Sequence, residues 1–469
     1  MQAFLKNIAK LLYTFASAVV KPLLLLPLIA AMVWFNYTVD RSGLFNGDRY
    51  EREVALSLLA GNNLTGYEQM DERQINALYV QNMEQAPDTA AIGSSRILQL
   101  SAEIAGTEDF YNFGMIGAGF KDLLATFYLF DRADKLPNNL IIGLDPWILS
   151  ASPNATDYRT DTELYNEFLT TRFGIQTDYE APDEGALLQA LISPSYLQGN
   201  VEYYFRDQSF EKKPSVLTRN LYSQVTEVKR SDGAVLYSEE FRDADLATVE
   251  SRALESCSSY AHVHDFEELD PELCSLFDRF IQYVQGKGVN VIFVLTPHHP
   301  TLYTYLRENA DSYKGFFLAE PWFAEYATEH NIPLYGSYNP YVAGVSESGF
   351  YDGLHIKGEA LADILPGINT VLAQQKSGQA GSGWLFGGTR VSEETALAIA
   401  TQLSGVSAPH VLRAGEAITV NGVACYTFNR YTGSSAGAAK VAAYAVSQNE
   451  GVFYRYDTRL GQWVNDRRF

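Results

Sequence analysis

The chain has 469 residues, of which 46% are hydrophobic and 13% aromatic; that is enough apolar surface for a large core and excludes a mostly disordered protein. Its 35 Lys and Arg stand against 56 Asp and Glu, a formal charge of −21, which argues against a broad basic face built for nucleic acid. Three cysteines exclude a disulfide scaffold and any Cys-rich zinc or iron–sulfur module.

Lys6 and Lys10 precede an apolar stretch over residues 11–39, interrupted by Lys21; residues 22–39 alone run 18 positions without a charge. A spanning helix needs about 20 apolar residues, and a lysine near its end can reach the headgroups. Trp34 and Tyr37 suit the opposite interface, and the three lysines before the span place the N-terminus inside. A cleaved signal peptide is the competing reading, but no small-x-small site follows Ala31. The expectation is one uncleaved signal anchor at a cell membrane, with a cytoplasmic N-terminus and an acidic extracytoplasmic remainder. In that compartment Cys257 and Cys274 could pair across a short loop, free thiols being the alternative, and Cys425 is expected to be buried.

Residues 47–61 and 70–83 read as polar-faced helices, a helical stalk over 41–85. From Asp88 a repeating order begins: a strand at 88–92, a helix to about Ile104, a strand at 110–113 and a helix at 120–130. Another strand at 139–142 ends in Gly143-Leu-Asp-Pro146. Between Ser150 and Asp270 the rhythm lapses into a Tyr-, Asp- and Glu-rich insertion, too long for a bare loop and expected to be a lid or substrate wall. The order resumes with a helix at 271–285, strands at 289–295 and 332–335, and a helix from Lys357 to Gln374. Residues 376–391 have linker composition. Beyond them a helix at 392–403 and β-type runs at 411–419, 422–429, 440–447 and 452–457 read as a small α+β domain. Alternating strands and helices predict an α/β fold over 86–375, a parallel sheet with helices on both faces in three layers. Ligands in such sheets bind beyond the carboxyl ends of the strands.

The candidate chemistry lies at those ends. Ser95 follows the first strand in a tight Gly-Ser-Ser turn that opens a helix, where backbone N–H groups favour negative charge on a bound oxygen. Serine needs a base to become nucleophilic. His355, in Asp352-Gly-Leu-His355, is the candidate, with Asp352 placed to orient its ring. Gly117, in the turn after the second strand, could offer a further oxyanion N–H. Alone, a Ser-Ser pair is usually a helix cap and an Asp-x-x-His a surface pair; together at successive strand ends they read as a triad.

These residues resemble the SGNH (GDSL-type) hydrolase superfamily over roughly 86–375, a fold of the flavodoxin-like three-layer type. Gly93-Ser94-Ser95 resembles its first block, with Ser94 in place of the usual Asp. Asn112-Phe-Gly-Met-Ile-Gly117 is similar to the second, whose last glycine gives an oxyanion N–H, and Asp352-Gly-Leu-His355 matches the triad block. The third block departs: where the family has Gly-x-Asn-Asp, Gly143-Leu-Asp145-Pro146 puts Asp145 in the place of the oxyanion asparagine. An ionised Asp145 there opposes catalysis unless it is protonated, turned away or paired with Arg96. With the anchor, the Gly-Ser-Ser block looks most like the cell-envelope branch, which includes D-alanyl-lipoteichoic acid and alginate O-acetylation proteins. That implies acyl esters on a polysaccharide or teichoic-acid-like polymer as substrate, and a membrane-bound acyl donor as partner.

Other residues have blander readings beside their functional ones. Arg96, Trp147, His298 and His299 sit at the same sheet edge and are candidates for substrate contact. Trp147 could floor a sugar cleft, though core packing is the default for tryptophan. Adjacent histidines in an extended segment face opposite ways, so no metal or other cofactor is expected. His262 and His264 read as surface or loop residues. Two functions remain: a serine acyl esterase or O-acyltransferase, or a catalytically inactive scaffold of the same fold that binds polymer or partner proteins.

Overall fold

The computed structural model describes residues 26–39, 49–66, 70–152, 159–177, 191–206, 215–217, 221–259, 261–376 and most of 410–465, with isolated positions elsewhere. At its centre is a five-stranded parallel sheet: β1 (Thr89–Ile92), β2 (Phe110–Asn112), β3 (Asn139–Gly143), β4 (Asn290–Leu295) and β5 (Leu334–Gly336). The strand order is β2-β1-β3-β4-β5. The direction of winding therefore reverses between β1 and β3, and the carboxyl ends of these two strands open a crevice there.

Side chains alternate between the two faces as strand geometry requires. Ala90, Ile92, Leu140, Ile142, Val291 and Phe293 join one core with Phe127, Phe280 and Phe323. Ala91, Ile141, Ile292 and Val294 join another with Leu361, Ile364 and Ile368. The first core lies under helices α3 (Phe120–Ala133), α5 (Pro271–Gly286), α6 (Pro300–Glu308) and α7 (Lys314–Glu329); the second lies under α8 (Gly358–Asp363) and α9 (Ile368–Lys376). The expected α/β sheet with helices on both faces is thus present. Ile141 is fully buried, so its truncation to Ala would cost about 2–5 kcal/mol.

Several elements depart from the sequence reading for local reasons. The first helix is not continuous to Ile104. A 3-10 turn at Ser95–Ile97 gives way to a short helix at Ala102–Ala105, capped by Ser101 and ended by Gly106 in the left-handed region. The helix expected from Lys357 to Gln374 breaks into α8 and α9 at Pro366–Gly367, where proline lacks an N–H and Gly367 takes φ +70°. Helices α6 and α7 have no counterpart in the sequence reading, and α7 carries Pro321 inside it.

The helices expected as a stalk are α1 (Arg49–Leu59) and α2 (Glu72–Asn82). They are no free-standing spacer: they share a core of Val54, Leu58, Ile75 and Leu78, and Asn76 of α2 donates to the Phe113 carbonyl at 2.9 Å. The strand Asn63–Thr65 pairs antiparallel with Ser215–Leu217 and Val228–Lys229 of the insertion, so the segment before the α/β domain and the insertion within it contribute to one small sheet. Helix α4 (Leu246–Ser259) also belongs to the insertion. Cys257 on α4 and Cys274 on α5 are free thiols, not the pair allowed by the sequence, and Cys425 is a buried thiol.

Of the predicted membrane segment, residues 11–25 lie outside the described residues, and 26–39 are helical. No helix among the described residues is long and apolar enough to cross a membrane. The linker at 377–391 also lies outside them. The C-terminal unit is an antiparallel sheet of six strands: β6 (Val411–Ala414), β7 (Ile418–Val420), β8 (Val423–Tyr431), β9 (Lys440–Ser447), β10 (Phe453–Asp457) and β11 (Gln462–Asn465). The run read as one strand over 411–419 is split at Gly415, and β11 adds a strand around Trp463. Helical positions 396 and 400 put Ala396 and Ala400 against Phe428, Tyr444 and Val446.

Candidate active site

The turn after β1 is shaped by close packing. A Cβ on Gly93 would lie 2.8 Å from Ile97 Cδ1 and 3.2 Å from the Gly143 backbone, so only glycine lets the ends of β1 and β3 approach. Ser94 caps the 3-10 turn, its hydroxyl accepting from the Arg96 N–H at 3.2 Å. That leaves Ser95 at the first position of the turn, half-buried. Among the described residues its N–H has no acceptor.

The Ser95 hydroxyl lies 2.9 Å from His355 Nε2, and His355 Nδ1 lies 2.8 Å from Asp352 Oδ2. The sequence-predicted triad is therefore assembled across 260 residues of chain. Burial of Asp352 works against its charge, but the adjacent His355 and the N–H groups of Leu354 and His355 outweigh it and hold the carboxyl down at about 2. An ionised carboxylate only accepts, so Nδ1 carries the ring proton and Nε2 is left free to accept from serine. The turn bearing the base is anchored on three sides. Tyr351 N–H donates to the His355 carbonyl, His299 N–H donates to the Gly353 carbonyl, and Gly353 N–H reaches Ser256 Oγ on α4 at 3.3 Å. The insertion thus braces the loop that carries His355.

Gly117 lies in a second turn, at φ +68°, a conformation that favours glycine. Phe113 N–H donates to the Ala91 carbonyl and Met115 N–H to the Gly93 carbonyl at 3.0 Å, which ties this turn to the one bearing Ser95. Among the described residues the Gly117 N–H also has no acceptor.

Asp145, at the end of β3, is buried and forms an ion pair with Arg96, Nη1 to Oδ1 at 3.0 Å. Burial pushes the Asp145 carboxyl up while Arg96 and the Ser94 hydroxyl pull it down. Burial likewise lowers Arg96, against the pull of Asp145. The remaining Arg96 donors go to the carbonyls of Leu354, Thr296 and Pro297 and to His298 Nδ1. Trp147 and Tyr338 flank the guanidinium at 5.9 and 5.8 Å. Each guanidinium nitrogen of Arg96 thus has a partner within the protein, and the side chain is 1% exposed, which points Arg96 into the interior and away from a substrate.

The other candidates are also interior. Trp147 is buried, its Nε1 donating to the Ala118 carbonyl at 3.4 Å. His298 is buried among His264, Phe316 and Tyr338, and burial next to Arg96 drives its pKa well down. His299 is the N-cap of α6, its Nδ1 accepting from Thr301 N–H at 3.2 Å. His264, read as a surface or loop residue, is also buried. Among the described residues no group of three His, Cys, Asp or Glu side chains is placed to hold a metal.

One neighbour of the base was missed. Tyr237 of the insertion sets its ring edge-on to His355 at a centroid distance of 5.9 Å, and packs on Tyr351 at 4.9 Å. Nothing in its local sequence distinguishes it from the many other tyrosines of that segment. Neither a protein-family model nor a characterised protein matches the chain.

Proposed function

We propose that this protein is a serine-dependent ester hydrolase or O-acyltransferase of the SGNH type. The observation that carries the reading is the continuous chain Ser95–His355–Asp352, with contacts of 2.9 and 2.8 Å, at the reversal point of the sheet where ligands bind. The strand order and the placement of Asp145 against Arg96 support it further. The carboxylate in the place of the oxyanion asparagine has its charge compensated by Arg96, so its opposition to a developing oxyanion is weakened.

The chemistry follows from the geometry. His355 Nε2 takes the Ser95 proton as Oγ attacks the acyl carbonyl, and the carbonyl electron pair moves onto oxygen. The free N–H groups of Ser95 and Gly117 stabilise that oxygen. Collapse of the intermediate expels the alkoxide, which takes the proton from His355 and leaves an acyl-Ser95. Water or a polymer hydroxyl then repeats the sequence in reverse, giving a free acid or a new ester. Asp352 stays ionised throughout and orients the imidazole.

The substrate class rests on the resemblance to the cell-envelope branch. It is an acyl ester of a polysaccharide or teichoic-acid-like polymer, met on the extracytoplasmic side of a membrane that the apolar residues 11–39 would enter. A membrane-bound acyl donor protein is the corresponding partner for transfer. The deciding experiment treats the full-length chain with a fluorophosphonate probe, with Ser95→Ala and His355→Ala as controls. Labelling of the wild type alone is the expected result. A folded wild type that takes no label and cleaves neither acetyl nor D-alanyl esters would leave the polymer-binding scaffold in its place.

A further inference from the structure

The turn that carries Gly117 is held from outside the parallel sheet. Glu72 and Arg73, the first two residues of α2, grip Ile116 from both sides of its backbone. A Glu72 carboxylate oxygen accepts the Ile116 N–H, and Arg73 Nη1 donates to the Ile116 carbonyl at 3.2 Å. Arg159 Nη2, from the insertion, donates to the same carbonyl, also at 3.2 Å. Arg73 is itself fixed by a buried two-point pair with Asp122, at 2.8 and 3.2 Å. Asp122 in turn accepts from the Gly119 N–H at 2.9 Å and Thr160 Oγ1 at 3.0 Å.

The Ile116 carbonyl and the Gly117 N–H are two ends of one planar peptide unit, pointing in opposite directions. Two guanidiniums on the oxygen therefore do two things to the hydrogen. They fix its direction, because rotating the peptide breaks two charge-assisted bonds. They also draw electron density toward the oxygen and leave the N–H a stronger donor, an effect of about 10–30% per bond in condensed phase. The Gly117 N–H itself has no acceptor among the described residues, so this polarised donor is left open beside the turn that carries Ser95.

We infer that Arg73 and Arg159 are positioning residues of the oxyanion hole, acting through the Ile116–Gly117 peptide. The inference rests on the acyl-transfer reading above and adds to it the source of the preorganisation. Neither arginine touches the acyl group. Their contribution is realised when charge develops on the carbonyl oxygen, so it appears in the rate and in transition-state affinity and not in substrate binding.

The test uses the full-length chain with Arg159→Ala and Arg73→Lys. Arg159 lies near the surface and its loss should leave the fold intact. Lysine at 73 keeps a charge but cannot hold Asp122 at two points and reach Ile116 together. Loss of a whole oxyanion donor costs about 10²–10³ in rate, so weakening one is expected to slow fluorophosphonate labelling roughly 3–10-fold for Arg159→Ala and roughly 10–100-fold for Arg73→Lys. The affinity for a boronic acid that forms a tetrahedral adduct should fall by the same factors, with KM within about twofold and the Arg159→Ala thermal midpoint unchanged. Wild-type labelling and boronate affinity in both variants, with Ser95→Ala still silent, would overturn the inference and leave the acyl-transfer reading standing. An unlabelled wild type would remove both.

Discussion

Arg96 and Asp145 meet at 3.0 Å beneath the turn of Ser95, with side-chain exposures of 1% and 4%. The pair joins the residue after Ser95 to the end of β3, and Arg96 Nε reaches the loop of His355 through the Leu354 carbonyl at 3.4 Å. One guanidinium thus links the strand end that carries Ser95 to the loop that carries His355.

An asparagine at position 145 should therefore harm the protein. Asp145→Asn leaves Arg96 charged and buried without its counterion, a situation that typically costs about 3–5 kcal/mol. Urea denaturation should show that loss, accompanied by slower labelling of Ser95. In Arg96→Met/Asp145→Asn neither position of the pair is charged, and much of the stability should return without the activity. An Asp145→Asn variant as stable and as reactive as the wild type would show that the pair has no such role.

Asp352→Asn tests the orienting carboxylate. A neutral amide can donate to the ring and select the wrong tautomer, so turnover should fall by about 10⁴. The same residue leaves a mark on stability. Its carboxyl is held at about 2, below its ordinary value of 3.8, so the folded state gains from it once the pH exceeds the unfolded value. That gain is lost as the pH falls through about 2. The stability difference between wild type and variant should shrink between pH 4 and pH 2 and stay constant above pH 5, as measured by chemical denaturation.

The meeting of Ser95, His355 and Asp352 was legible because each sits at a strand end or in a short block with a distinctive residue pattern. The parallel sheet was legible because apolar runs such as Leu140-Ile141-Ile142 are bounded by turn residues. What escaped was set by tertiary contact. Arg96, Trp147 and His298 have the residue types of substrate contacts, yet the ends of β3 and β4 close over them. Helix α2 has a polar pattern that reads as a solvated stalk, but Glu72, Arg73 and Asn76 are buried, satisfied by the backbone of a turn some 40 residues away. No periodicity separates a polar residue facing water from one facing a carbonyl.

The thiols offer a simple check on covalent structure. Cys257 and Cys274 are half-buried and Cys425 is buried, none of them in a disulfide, and burial raises the pKa of each. Alkylation of the denatured, unreduced protein should add three labels by mass. The native protein should react slowly at neutral pH, since the thiolate is the reactive form, and reductant should not change its thermal midpoint. A single label in the denatured state would indicate a bridge between Cys257 and Cys274.

Glu320 should give the protein a stability that declines with pH near neutrality. Its carboxylate accepts from Ser337 Oγ at 2.5 Å and from the Tyr338 N–H at 2.9 Å. Burial nevertheless outweighs these two bonds and raises its pKa from 4.5 to about 7. The unfolded chain releases this proton as the pH rises through about 4.5, whereas the folded protein holds it until about 7. Across that interval the folded state binds more protons, so stability falls with rising pH and levels off above 7. Glu320→Gln mimics the protonated acid and cannot ionise. Its thermal midpoint should vary less than that of the wild type between pH 5 and 8, with the two curves converging at the acid end and the variant higher at the alkaline end. The effect should also reach the active site. Tyr338 flanks Arg96 at 5.8 Å and donates its hydroxyl to the Leu144 carbonyl at 2.8 Å. The charge on Glu320 is one hydrogen bond from Tyr338 and so from the Arg96–Asp145 pair, and a difference in Ser95 labelling between Glu320→Gln and the wild type that appears at alkaline pH and is absent at pH 5 would report its ionisation. Parallel stability curves for the two proteins would place the ionisation of Glu320 outside this range.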